Sequence, residues 1–199
     1  MKKIFLSSGI ALLIFCSCQK EIVPGEADQP TVLTGTWNFV SMDAQTQSVV
    51  DQNDGGVHEK TITNSSYTTT NNSGFITFGN ADFTSKAGYS LSTNLTSLSY
   101  QNNMLFDSST TPLQFAVPPS TSSGSYEVIG KDSIYFPNGS MIAVHDTTYP
   151  SSAYGAKFSL DGNSLTITQS IHQTYNGDIG GGVFSNEETG TYIIRFSKK

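Results

Sequence analysis

Three histidines, His58, His145 and His172, are the side chains here best suited to acid–base or metal chemistry. They lie far apart in the chain, and no His-x-His or His-x-x-x-His spacing groups them. His58-Glu59 and His145-Asp146 each set an acid beside a histidine, but neighbours on a strand point to opposite faces, so neither pair shares a pocket. Solvated histidine is the expectation for all three. The chain has no Gly-x-Ser-x-Gly elbow, and its two cysteines, Cys16 and Cys18, fall in the N-terminal leader treated below, which leaves the folded part without a thiol nucleophile. Asp51-Gln52-Asn53-Asp54-Gly55-Gly56 has the composition of a calcium loop, yet Ile62 stands where the twelfth position needs Glu, so a turn is expected. Gly180-Gly181-Gly182 does not follow a strand and open a helix, so it is no phosphate cradle. No catalytic residue, metal or cofactor is expected. Only convergence of the histidines with acids in one cleft would argue for an enzyme.

The elements around these residues read as strands. Apolar residues alternate with period two, or form short β-branched and aromatic runs bounded by Gly, Asn, Asp or Pro. From Ser164 to Gln173, Leu165, Ile167, Gln169 and Ile171 fall on one face, with Thr166, Thr168, Ser170 and His172 on the other. Asp161-Gly162-Asn163 ahead of it predicts a hairpin turn, as does Asn138-Gly139 between residues 134–136 and a strand at Ser140–His145. Further strands are expected at 36–42, 58–64, 74–78, 89–95, 103–106, 125–129, 133–136 and 191–197. Pro112 to Ser125 and Tyr175 to Glu188 read as long loops. No stretch shows helical periodicity, so the fold class is all-β, an antiparallel meander. Such a chain hides its edges either by closing into an up-and-down barrel or as a β-sandwich.

Composition narrows the partners. The charged fraction is 13% and the net charge −6. Loss of Lys2 and Lys3 with the leader would take it to −6 − 2 = −8. Arg195 is the sole arginine and the lysines are scattered, so nucleic acid is a poor partner. Aromatic side chains, spread from Phe75 to Tyr175, are the main binding resource, and most should be core.

Lys2-Lys3, the apolar run Ile4–Phe15 and Cys16-Ser17-Cys18 form an export signal, too short to span a bilayer, which needs about 20 apolar residues. Ser17-Cys18 resembles the lipobox of bacterial lipoproteins, although Phe15 and Cys16 are imperfect lipobox residues. The resemblance implies residues 1–17 as signal peptide, Cys18 as lipidated N-terminus, 18–32 as a flexible tether and 33–199 as one β domain. Several acyl chains on one cysteine hold firmly. A tether of about 15 residues reaches about 20 Å. Gln19-Lys20-Glu21 is similar to the start of some Bacteroidetes surface lipoproteins, so an outer-membrane anchor with either periplasmic or surface display is expected.

Gly35-Thr36-Trp37 on the first strand resembles the Gly-x-Trp signature of the lipocalin-like families, in which an arginine at the end of the barrel packs over the tryptophan. The sole Trp and sole Arg lie on the expected first and last strands. The resemblance also takes in the hairpin Phe158-x-Leu-Asp-Gly-Asn-x-Leu-x-Ile; it lacks the second and third lipocalin motifs. It implies a lipocalin-like barrel with Gly35, Trp37 and Arg195 as its structural signature. The implied function is non-catalytic binding of a small apolar or amphipathic ligand, against a β-sandwich module that binds glycan or protein on its surface, or a purely structural envelope lipoprotein.

Overall fold

The structure, a computed structural model, describes residues 33–137, 141–142, 153–178 and 182–199. The leader, Cys18, the tether, the Asn138-Gly139 turn and His145 lie outside them. Among the described residues there are ten strands and no helix. They are β1 (Gly35–Asp54), β2 (Val57–Thr68), β3 (Thr70–Phe78), β4 (Asp82–Gln101), β5 (Met104–Ser125), β6 (Glu127–Ile129), β7 (Ser133–Phe136), β8 (Tyr154–Asp161), β9 (Ser164–Asp178) and β10 (Val183–Lys198).

All pairings are antiparallel, and they trace a circuit. β2 and β3 together run the length of β1 as one interrupted strand, and β4 pairs with both. β5 pairs with β4 as far as Ser125, and β6, starting two residues later, pairs with β7. β7, β8, β9 and β10 then pair in order, and β10 returns to β1. This is the up-and-down order expected from the turn signals.

The strands differ greatly in length, and that divides the molecule into two ends. At the proximal end, where the chain enters at Leu33, all the strand lines meet around one core. Trp37, Phe39, Met42, Ile76, Phe78, Phe83, Phe136, Leu165, Ile167, Ile194 and Phe196 are each at most 5% exposed. Their side chains fill the middle of the circuit. The short β7 and β8 take part only here. Beyond them β5, β4, β2, β1, β10 and β9 run on together towards hairpins at residues 54–57 and 101–104, and towards the paired ends of β9 at Asp178 and β10 at Val183. In this distal half β2 pairs with β1 on one side and β4 on the other.

A break in register marks the passage from one half to the other. Val40 is the extra residue of a bulge in β1, which shifts the inward set from Trp37 and Phe39 to Met42 and Ala44. Opposite it β2 gives way to β3, where the Thr69 hydroxyl accepts from the Met42 amide at 2.9 Å and the Asn72 amide donates to the Val40 carbonyl at 2.8 Å. Those side-chain bonds replace the ladder bonds that the irregularity removes.

Several expectations need correction. Pro112 to Ser125 is strand, the second half of β5. β5 pairs with β4 alone there, and a proline whose ring nitrogen faces the outer edge breaks no ladder bond. Tyr175 to Glu188 is also largely strand, through Asp178 in β9 and from Val183 in β10. Met141 and Ile142, inside the expected strand 140–145, are buried but lie in no strand. The first and last strands do pair, with Trp37 opposite Lys198, yet the cation over the indole is Lys198, at 4.6 Å from the ring centroid. Arg195 alternates outward between buried Ile194 and Phe196 and bonds Asp43 on the outer face instead.

Candidate functional site

The distal sheet presents two faces. The inner one continues the barrel interior. Its first layer past the core holds Tyr67 and Tyr192, on either side of Ala44. Beyond them the inner face is lined by hydroxyls bonded to their cross-strand partners, Thr46 to Ser65 at 3.1 Å and Thr63 to Ser97 at 3.0 Å, while the Ser48 hydroxyl donates to Asn186 at 2.9 Å.

Burial raises the pKa of the Tyr67 phenol, helped by neighbouring Tyr192, Tyr89 and Glu188. Burial also raises Tyr89 and Tyr126. A folded phenol that holds its proton above the usual pKa near 10 stabilises the fold fully below about pH 10, and this contribution fades as pH rises through the folded value. Melting temperature is therefore expected to fall steeply above about pH 10. In Tyr67→Phe, which keeps the ring and removes one titrating group, the alkaline fall should be shallower, and parallel alkaline melting curves for the two proteins would contradict the assignment.

The outer face carries the candidate site. Across β2, β1, β10 and β9 the register aligns Ser66, Gln45, Thr191 and Ser170 in one row and Asn64, Gln47, Thr189 and His172 in the next. These side chains wall an open trough of about 670 Å³ with Gly190 in its lining. Gly190 is needed there: a Cβ would lie 2.8 Å from the Gln45 carbonyl oxygen. The Gln47 amide donates to Asn64 at 2.9 Å. On the proximal side of the trough the Thr68 hydroxyl and the Arg195 guanidinium both bond the Asp43 carboxylate, and in that order they hold its pKa below the ordinary value.

The chain matches no family model, no curated protein and no solved structure.

His58 and His172, the two described histidines, do not converge. His58 Nε2 is 2.8 Å from Asp51 on the outer face, while its neighbour Glu59 turns to the inner face and accepts from Gln52 at 2.6 Å. His172 is exposed, 3.4 Å from Glu187. Among the described residues no three His, Cys, Asp or Glu side chains form a group able to hold a metal ion. Gly55-Gly56, with φ of 55° and 85°, turns the β1–β2 hairpin; the turn expected over Asp51–Gly56 is confined to these two residues, since Asp51–Asp54 are still strand paired with β2. Cys18 lies outside the described residues; Gly35 and Trp37 sit where β1 begins, remote from the trough. Its amides and hydroxyls went unnoticed in the sequence because they lack titratable chemistry. Their one signal is the outward phase of an alternation that any wet sheet face would share.

Proposed function

We propose that this protein is a lipocalin-like envelope lipoprotein, held at the outer membrane by acylated Cys18 through the tether 18–32, and that it binds a ligand without transforming it. The ligand is polyhydroxylated, a glycan rather than an apolar molecule. The observation that carries this reading is the trough: Gln45, Gln47 and Asn64 offer paired donors and acceptors, and Ser66, Ser170, Thr189 and Thr191 add hydroxyls that serve as either. An apolar ligand would strand these groups, and in the barrel it would compete with the packed core around Trp37 and Phe136.

The test is calorimetric titration of the protein with neutral oligosaccharides, alongside fractionation of cells. Gln47→Ala is expected to weaken binding about tenfold, the loss of one or two hydrogen bonds, with melting unchanged. Cys18→Ser should move the protein from the membrane to the soluble fraction. Native mass spectrometry showing a carried lipid, with no response to any sugar, would replace the glycan reading by the apolar one.

A further inference from the structure

The outer face of the distal sheet has a second feature, in the rows that follow the trough towards the distal hairpin. Val49 on β1, Ile62 on β2 and Leu98 on β4 are direct cross-strand partners, so their side chains form a row perpendicular to the strands. In the next row out, Tyr100 on β4 is opposite Leu105 on β5. The strand phases place this set away from the core: β4 buries Tyr89 and Leu91, which leaves Leu98 and Tyr100 on the other side, and β1 buries Met42 and Ala44, which does the same for Val49. The stripe ends at Leu105, 58% exposed, which Met104 and Phe106, at 72% and 75%, flank in sequence. A sheet with one apolar face is stable when that face is buried against another layer. Here Val49, Ile62, Leu98 and Tyr100 each keep part of their surface exposed.

We propose that this stripe is a homodimer interface, with the distal sheets of two copies packed face to face as the halves of a sandwich. Three arguments select a second copy. First, branched Val, Ile and Leu side chains interdigitate between sheets about 10 Å apart and inclined by about 30°. Second, the surround carries both signs. Lys60 and His58 flank the stripe together with Asp51 and Glu187, so a two-fold axis lets each copy meet a cation with an acid, whereas those acids would oppose an anionic bilayer. Third, the face reaches the small end of specific interfaces. The strands β10, β1, β2, β4 and β5, over residues 49–54 of β1, span roughly 450 Å² before side-chain relief is counted, against about 600 Å² per partner at that end.

The experiment is sedimentation of the signal-free chain from residue 18, with Cys18→Ser to prevent lipidation; every residue of the buried core lies within what remains. The wild-type form is expected at twice the monomer mass in the micromolar range. Leu98→Asp should halve that mass, and so should Leu105→Asp, whose site is exposed enough that the fold cannot depend on it. Ser97→Asp, one residue away on the opposite face, should leave the dimer intact. A monomer throughout the micromolar range overturns the proposal, as does a dimer indifferent to Leu98→Asp and Leu105→Asp. A monomer that floats with phosphatidylcholine vesicles would also overturn it and would reassign the stripe to a lipid surface.

Discussion

Trp37→Ala is expected to cost about 3–5 kcal/mol, the usual range for truncating a buried Trp or Phe. For a domain of this size that lowers the melting temperature by about 6–20 °C. Trp37 is 2% exposed and belongs to the same buried cluster as Phe39, Ile76 and Phe196. Its indole N–H donates to the Leu33 carbonyl at 3.0 Å, which holds the entering chain against the barrel end. Truncation opens a cavity at the β1–β10 closure and leaves that carbonyl without its donor. Trp37→Phe should fall between the two, since it keeps most of the volume and loses the hydrogen bond. Ile129→Ala, at a site 54% exposed on β6, should change stability by no more than about 0.5 kcal/mol. Circular dichroism melting checks all three. Trp37 is also the only tryptophan, so wild-type emission reports this one site during unfolding. Equal melting temperatures for Trp37→Ala and Ile129→Ala would refute this account of the core.

The proximal half was readable because burial there leaves an amphipathic trace. Leu165 and Ile167 alternate with Thr166 and Thr168, and the structure buries the first pair and wets the second. Asp161-Gly162-Asn163 likewise became the β8–β9 turn, with Gly162 at φ 55°. The distal half left a fainter trace: the expected strand 58–64 lies within β2, but polar residues stand on both of its faces. Ser, Thr, Asn and Gln then occupy inward and outward positions alike, and Pro112 added a loop signal to what is an edge strand. The trough could not be found for the same reason: it exists only where four strands set their outward amides and hydroxyls in register, and no local pattern encodes that alignment. The Arg195 contact failed on phase. Ile194 and Phe196 take the inward positions, so the residue between them cannot reach the indole from inside.

Gly74→Ala is expected to be among the most damaging single-methyl substitutions in the chain. Gly74 lies at φ 106°, in a region that residues with a side chain rarely adopt, directly opposite Ala87 on β4. A Cβ there would sit 1.8 Å from the Lys86 carbonyl oxygen and 2.7 Å from its carbon. Both atoms are backbone in the middle of a paired strand, so neither can swing aside as a side chain would. Relief requires β3 and β4 to separate next to Ile76 and Phe78, which are buried in the core. Backbone strain and overpacking together give an expected loss of about 2–6 kcal/mol. Gly55→Ala separates the two causes. Gly55 also has positive φ, at 55°, but a Cβ there would meet nothing within 4 Å, so only the left-handed backbone cost of about 1–2 kcal/mol applies. Urea unfolding of both variants measures the difference, and a Gly74→Ala cost no larger than that of Gly55→Ala would show that β3 and β4 do not approach each other as closely as this structure places them.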